Sequence, residues 1–109
     1  MKAKTKAEEY MMLFVRLHKY QRKGADNLIM LLTRLIKGKA GYMASYIDLV
    51  AERTGVCPTG HITTTNKDIM LPIVREVVHI EEGIYPLEKD INKAWEVFME
   101  LYRNNLIKL

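Results

Sequence analysis

The segment at residues 51–61, AERTGVCPTGH, decides how the helices of this chain can be arranged. A charged, helix-favouring tetrad leads into Gly55, and a Cys-Pro-Thr-Gly turn follows. Such a segment fits a tight corner between two helices, a site built around Cys57, or a longer loop between packed helices. The residues on either side distinguish these three structures.

A tight corner between two helices would match the residue spacing of the helix-turn-helix motif. In that motif a small residue lies four positions before a turn glycine, and Ala51 and Gly55 have this spacing. The sixth position after the glycine should be apolar, but it is His61, with Ile62 one place late. The turn of the motif normally spans about 3–4 residues. We therefore predict a long, turn-rich loop over residues 55–65, with a DNA-reading helix-turn-helix as the less favoured alternative.

The stretch YIDLVAERTGV, residues 46–56, is similar to the early helix and turn of the histone-like DNA-bending proteins. Those proteins continue into a β-sheet with basic arms, whereas the residues after 56 are neither basic nor strand-like enough here. The resemblance covers about ten of the 109 residues. It implies only a helix that ends in a glycine cap.

Five segments carry apolar residues at helical spacing, at about residues 5–23, 26–37, 42–54, 65–80 and 86–104. The second is apolar nearly all round, so we expect it to be the central helix. Pro72 predicts that the fourth helix kinks or begins near that residue, because a proline inside a helix costs about 3 kcal/mol. Trp95 should anchor the last helix in the core. The sequence thus predicts a compact all-α bundle of about five helices, one domain over residues 1–109.

The bulk composition is that of a soluble globular domain, with 49% hydrophobic and 28% charged residues. The single cysteine, Cys57, excludes an internal disulfide, and we expect a reducing, cytoplasmic setting. No run approaches the roughly 20 apolar residues of a membrane span. The apolar run at residues 10–15 is too short for a secretion signal. We therefore expect no association with a membrane.

Charge is distributed unevenly along the chain. Residues 1–55 carry 11 Lys and Arg against 5 Asp and Glu, and residues 56–109 carry 6 against 8, which gives balances of +6 and −2. The basic half predicts an anionic partner, and opposite halves equally fit head-to-tail self-association. We expect nucleic acid as the leading partner, and a homo-oligomer or another protein besides.

The candidate nucleic-acid-binding residues are cations and polar neighbours at helix ends and glycine breaks: Lys19, Arg22, Lys23, Lys37, Lys39, Arg53, Thr59 and His61. Backbone groups left free at helix ends can join such cations in phosphate contacts. Tyr42 and Tyr46 are candidates for stacking on a base. If the first two helices form a tight antiparallel pair, however, their basic ends lie a helix length apart. The alternative is a set of solvated cations that favour the negative poles of their own helices.

Signals for chemistry are weaker. Cys57 and His61 have the spacing C-x3-H, but a zinc site needs three or four ligands and only His18 and His79 remain as nitrogen donors. We predict no metal and no cofactor. Arg75 and His79, one turn apart, resemble the arginine–histidine pair of some small α-helical ribonucleases, which have at least one more residue between the two. We interpret them as a surface pair and predict no catalytic residue.

These patterns predict a small, non-catalytic helical protein that binds nucleic acid, with DNA the leading expectation, through basic helix ends. The alternative is a protein–protein interaction module or small regulatory subunit that uses exposed Met and aliphatic residues of the last two helices. An enzyme with an unrecognised helical site ranks third.

Overall fold

The computed structural model describes residues 5–37 and 43–108, which form five α-helices and no strand. The helices are α1 (Lys6–Arg22), α2 (Leu28–Leu35), α3 (Met43–Thr54), α4 (Lys67–Glu82) and α5 (Glu88–Arg103). They pack into a bundle with extents of 35 × 30 × 26 Å. The predicted all-α fold of five helices is confirmed.

Local chemistry explains where the helices begin. Thr5 caps α1, and α2 and α4 are capped by Asn27 and Asn66, each one residue after the first residue of the predicted segments at 26–37 and 65–80. Each asparagine side-chain oxygen accepts a hydrogen bond from a backbone N–H in the first turn, at 2.9 Å in α2 and 3.1 Å in α4. The backbone carbonyl of Asp26 is instead bound to the N–H of Ile62, at 2.8 Å, as part of a loop contact.

Helix α4 runs through Pro72 without ending, so the expectation that it begins near that proline is wrong. The helix starts at Lys67, and proline removes one of its backbone hydrogen bonds. Met70, Ile73 and Val74 on either side of it are at most 1% exposed. Burial of such side chains contributes roughly 1.5–3 kcal/mol each, which outweighs the cost of about 3 kcal/mol for proline.

The core is organised around α1 and α4 rather than around α2. Helix α1 packs against α2, α4 and α5, and α4 packs against α1, α3 and α5. Helix α2 contacts only α1 and α3 among the described helices, and its Ile29 and Met30 are 40% and 36% exposed. The prediction of a central second helix is therefore wrong, because the six apolar residues of this eight-residue helix exceed the surface that two neighbours can cover.

Helices α1 and α5 lie side by side and run in the same direction. Phe14 of α1 meets Trp95 edge-on, with ring centroids 5.1 Å apart, and stacks on Phe98 at 5.9 Å. One turn further on, His18 meets Tyr102 edge-on at 5.3 Å. Trp95 is 5% exposed, so its predicted place in the core is confirmed. The parallel arrangement brings the carboxyl ends of α1 and α5 to one end of the bundle.

Residues 55–66 form the loop between α3 and α4, and no second helix follows Gly55 closely enough for a helix-turn-helix. The loop is pinned by Ile62, which is 1% exposed and donates its N–H to the Asp26 carbonyl at 2.8 Å. The N–H of Ile29 binds the Pro58 carbonyl at 3.3 Å. The loop therefore lies against the turn between α1 and α2.

Several aromatic and aliphatic side chains differ in exposure. Leu87, at the start of α5, and Tyr102, in its last turn, are 61% and 42% exposed. Tyr46 is only 2% exposed and cannot stack on a base; Tyr42 lies outside the described residues. None of the helices within the described residues is long and apolar enough to cross a membrane.

Candidate nucleic-acid interface

A cleft of about 370 Å³ opens between the carboxyl ends of α1 and α5. It is lined by His18, Arg22, Tyr102, Arg103, Asn105 and Ile107. Helices α1 and α5 end at Arg22 and Arg103, so the parallel packing places an arginine from each helix in one recess. Asn105 has a positive φ of 53° just beyond α5, a conformation that asparagine tolerates at helix ends.

The floor of the cleft contains a buried polar chain. His18 is 6% exposed and Thr64, from the loop at residues 55–66, is 1% exposed. The His18 Nδ1 and Thr64 Oγ1 atoms are 2.8 Å apart, and the Thr64 hydroxyl donates to Gln21 Oε1 at 2.9 Å. Since that hydroxyl has one proton and gives it to Gln21, it accepts from His18, and Nδ1 is the protonated ring nitrogen.

The ring of His18 is held neutral. Burial lowers the pKa of His18 below its ordinary value of 6.5, and the positive charge of Arg22 lowers it further. The ring also packs edge-on against Phe98, with centroids 5.7 Å apart. At neutral pH the cleft therefore presents an unprotonated Nε2, an acceptor, below two guanidinium groups.

The rim of this end is basic. Lys23 follows Arg22, and Arg34 of α2 donates from Nη1 to the Tyr20 carbonyl at 3.2 Å, which places it beside the last turn of α1. Among residues 5–37 and 43–108, no carboxylate lies within 4.0 Å of Arg22, Lys23, Arg34 or Arg103. These cations are thus not neutralised by direct ion pairs.

Helix dipoles offset little of this charge. Helices α1, α3 and α5 end at the basic end of the bundle, and helices α2 and α4 begin there. The ends of α3 and α4 belong to this group because the loop at 55–66, which joins them, lies against the turn between α1 and α2. Each pole is equivalent to roughly half a charge, so three negative and two positive poles sum to roughly −0.5. Four cations exceed this sum, and the solvated helix-end interpretation therefore accounts for only part of the positive charge.

Five of the eight predicted binding residues lie at this end. Lys19, Arg22 and Lys23 occupy the last turn and cap of α1. Thr59 and His61 are exposed on the docked loop, and His61 Nδ1 lies 3.9 Å from Asp26 Oδ2 on the turn that the loop contacts. Lys19 lies on the adjoining side of α1, in a groove with Val15 and Leu101.

Two of the other three, Lys37 and Arg53, are not brought to the cleft. Lys37 follows α2, whose residue Leu35 shares a recess with Glu9 and Glu82 at the opposite end of the bundle. This is the separation expected of an antiparallel α1–α2 pair. Arg53 faces α4, with Nη1 at 3.3 Å from Glu76 Oε1 and 3.0 Å from His79 Nδ1. Lys39 lies outside the described residues.

Sequence patterns did not reveal the other half of the cleft. Tyr102, Arg103 and Asn105 come from α5, about 80 residues away from α1 in sequence, and only the parallel packing joins the two helices. Thr64 lies 46 residues from its partner His18. The one local signal was the i, i+4 spacing of His18 and Arg22, which places both on one face of α1.

Cys57 and its neighbours in the loop at residues 55–66 do not form a catalytic or metal-binding group. Cys57 is exposed, and hydrogen bonds from the Thr59 side chain, then from the Thr59 and Gly60 backbone, lower the pKa of its thiol. His61, its sequence neighbour in C-x3-H, is instead near Asp26. Within the described part of the chain, no group of three His, Cys, Asp or Glu side chains could hold a metal ion.

The pair on α4 belongs to a polar cluster around Tyr85. His79 stacks on the Tyr85 ring with centroids 4.1 Å apart, and the Arg75 guanidinium lies 5.7 Å from the same ring. The Tyr85 hydroxyl donates to Glu76 Oε1 at 3.0 Å, and Arg53 reaches the same oxygen. These contacts join α3, α4 and the segment before α5, which is a structural role.

The chain matches no protein-family model, no curated protein and no solved structure. The cleft combines two guanidinium groups, an amide, an exposed tyrosine and a neutral imidazole, and this set suits an anionic ligand with a planar group attached.

Proposed function

We propose that the protein binds nucleic acid through the basic end of its bundle, with a backbone phosphate held between Arg22 and Arg103. The observation that carries the proposal is the convergence of these two arginines, from helices parallel to each other, in one cleft that no carboxylate neutralises among the described residues. Guanidinium groups bind phosphate oxygens in a bidentate manner, and charge-assisted hydrogen bonds are roughly twice as strong as neutral ones.

The surroundings of the cleft support the same ligand. Lys23 and Arg34 extend the positive surface beyond the recess, so that successive phosphates of a strand meet cations. Tyr102 is 42% exposed at the rim and offers a ring on which a base can stack. His61 and Thr59, on the docked loop, provide further polar contacts at the edge.

The test is the salt dependence of binding to unstructured oligonucleotides. Each phosphate contact contributes about 0.7–0.9 to the slope of log affinity against log salt. Because both arginines bind one phosphate, the double variant Arg22→Ala/Arg103→Ala should flatten the slope for a single strand by about 0.7. A matched control, Lys37→Ala/Lys93→Ala, removes two exposed cations from the other end and should leave the slope nearly unchanged.

Two results would contradict the proposal. The first is that the wild-type protein binds neither RNA nor DNA at about 50 mM salt, where phosphate contacts are strong. Equal loss of slope in the two double variants would show that binding follows net charge and not the cleft.

A second function, protein–protein interaction, is favoured by an apolar surface between α4 and α5. Ile84, Tyr85 and Leu87 are 69%, 43% and 61% exposed and lie within four consecutive residues. Contiguous exposed apolar side chains often mark contact sites. If this surface joins two copies, sedimentation at high micromolar concentration should detect a dimer that Ile84→Ser/Leu87→Ser abolishes. A monomer at all salt concentrations would count against self-association.

A further inference from the structure

The groups in the cleft differ in what they require of a ligand. Arg22 and Arg103 can only donate hydrogen bonds, so they require an acceptor such as a phosphate oxygen. His18 Nε2 is an acceptor, so it requires a hydrogen-bond donor. A ligand that satisfies the whole cleft therefore carries an anion and a donor within a few ångströms of each other.

The acceptor role of Nε2 is imposed by the chain of hydrogen bonds behind it. Gln21 Oε1 accepts from the Thr64 hydroxyl, and that hydroxyl accepts from Nδ1–H, at 2.9 and 2.8 Å. Rotation of the ring would lose the Thr64 bond at a site where both residues are at least 94% buried. Within residues 5–37 and 43–108 no group hydrogen-bonds to Nε2. Nε2 is not a buried atom without a partner, so solvent reaches it from the cleft, and a ligand that supplies a donor can take the place of water there.

DNA and RNA differ in whether they carry a hydrogen-bond donor next to the phosphate. A phosphodiester has no donor, and neither does the adjacent deoxyribose within a DNA strand. In RNA each ribose carries a 2′-hydroxyl, which can donate, next to the phosphate. Since His18 is only 6% exposed, the nucleotide must enter the cleft to reach it, which a flexible single strand can do more readily than a duplex.

We propose that the cleft selects RNA over DNA by binding one nucleotide of a single strand, with the 2′-hydroxyl donating to His18 Nε2, the phosphate between Arg22 and Arg103, and the base against Tyr102. This inference rests on the proposed function and identifies its ligand class. Thr64 acts as a positioning residue, because it touches no ligand atom and sets the tautomer of His18.

The first experiment compares three oligonucleotides of one sequence: single-stranded RNA, single-stranded DNA and 2′-O-methyl RNA, which keeps the ribose oxygen but lacks its proton. One hydrogen bond of ordinary net strength corresponds to roughly a two- to ten-fold preference. We expect RNA to bind more tightly than the other two by this factor. Equal affinity for all three overturns the inference and leaves the proposed function standing, whereas no binding of any of them overturns the proposed function itself.

The second experiment changes the positioning residue. Thr64→Val removes the hydroxyl at nearly constant volume and should lower the RNA-to-DNA affinity ratio to about one, and His18→Phe should do the same. The matched control Thr63→Val alters an exposed neighbour and should keep the ratio. Arg22→Ala should weaken RNA and DNA binding alike. A ratio that survives both Thr64→Val and His18→Phe in folded protein contradicts the assignment.

A direct readout of the tautomer does not depend on binding. The nitrogen chemical shifts of the His18 ring, measured by NMR at neutral pH, should show a protonated Nδ1 and an unprotonated Nε2. In Thr64→Val the protonation should be redistributed between the two nitrogens. A wild-type ring protonated at Nε2 would make that nitrogen a donor and overturn the proposed contact with the 2′-hydroxyl.

Discussion

Acidification from about pH 7.5 to pH 5 is expected to destabilise the protein through His18. In the unfolded chain this histidine titrates at its ordinary pKa of 6.5, whereas burial and the nearby charge of Arg22 lower its pKa in the folded protein. Below pH 6.5 the unfolded state therefore binds more protons than the folded state. The stability is fully present above pH 6.5 and is lost progressively as the pH falls toward the folded pKa.

The size of the effect is bounded by one proton. A single group changes the free energy of unfolding by at most about 1.4 kcal/mol per pH unit, so the loss between pH 6.5 and 5 is at most about 2 kcal/mol. At about 2.1 cal/mol/K per residue, 109 residues have an unfolding entropy near 0.23 kcal/mol/K, and the melting temperature should fall by up to about 9 °C. Two charged side chains line the cleft together with His18, namely Arg22 and Arg103. Both are cations, so they cannot stabilise a protonated His18 ring.

The assay is denaturant unfolding followed by far-UV circular dichroism at several pH values. His18→Phe removes the titrating group and should flatten the dependence between pH 6.5 and 5, even if the variant is less stable overall. The control His61→Gln alters a side chain that is 65% exposed and should retain the wild-type dependence. The reasoning is refuted if wild-type stability is the same at pH 7 and pH 5, or if His18→Phe retains the full dependence.

Two further predictions concern the core and the loop. Trp95→Ala should lower the free energy of unfolding, measured by calorimetry, by about 3–5 kcal/mol, because Trp95 is 5% exposed and packs on Phe14. The control Leu87→Ala, at a position that is 61% exposed, should change the free energy of unfolding by less than about 0.5 kcal/mol. Ile62→Ala should lower the free energy of unfolding by about 2–5 kcal/mol and increase hydrogen exchange at the backbone amide of residue 62, whose bond to the Asp26 carbonyl holds the loop. Protection of this amide equal to that in the wild type would show that other contacts hold the loop.

Local chemistry in the sequence determined the helices. Thr5, Gly55 and Gly83 stand where a helix begins or ends, because a side-chain oxygen can cap first-turn N–H groups and glycine adopts the left-handed conformation at little cost. The failure of the apolar pattern at His61 was enough to predict a loop instead of a second close helix. Asn27 and Asn66 show the limit of such signals, since neighbouring residues of similar capping strength shift a boundary by one position.

Tertiary structure decided which helix ends meet. Periodicity identifies an apolar face but not its partner, so neither the parallel α1–α5 pair nor the two exposed apolar residues of α2, Ile29 and Met30, could be predicted. The sequence likewise does not show which neighbouring element a charged side chain at a helix end will face, because packing decides it. Arg53 is bound to α4, whereas Arg22 shares a cleft with Arg103.

The buried bond between His18 and Thr64 depends most completely on the fold. It joins residues 46 positions apart, and no local preference of either residue points to the other. The bond forms because Ile62 buries its side chain and carries the loop onto the end of α1, where a polar group must then find a partner. The sequence by itself determined that a loop and a basic helix end exist. Only the packing of the fold brought Thr64 of the loop into contact with His18 of α1 beneath the cleft.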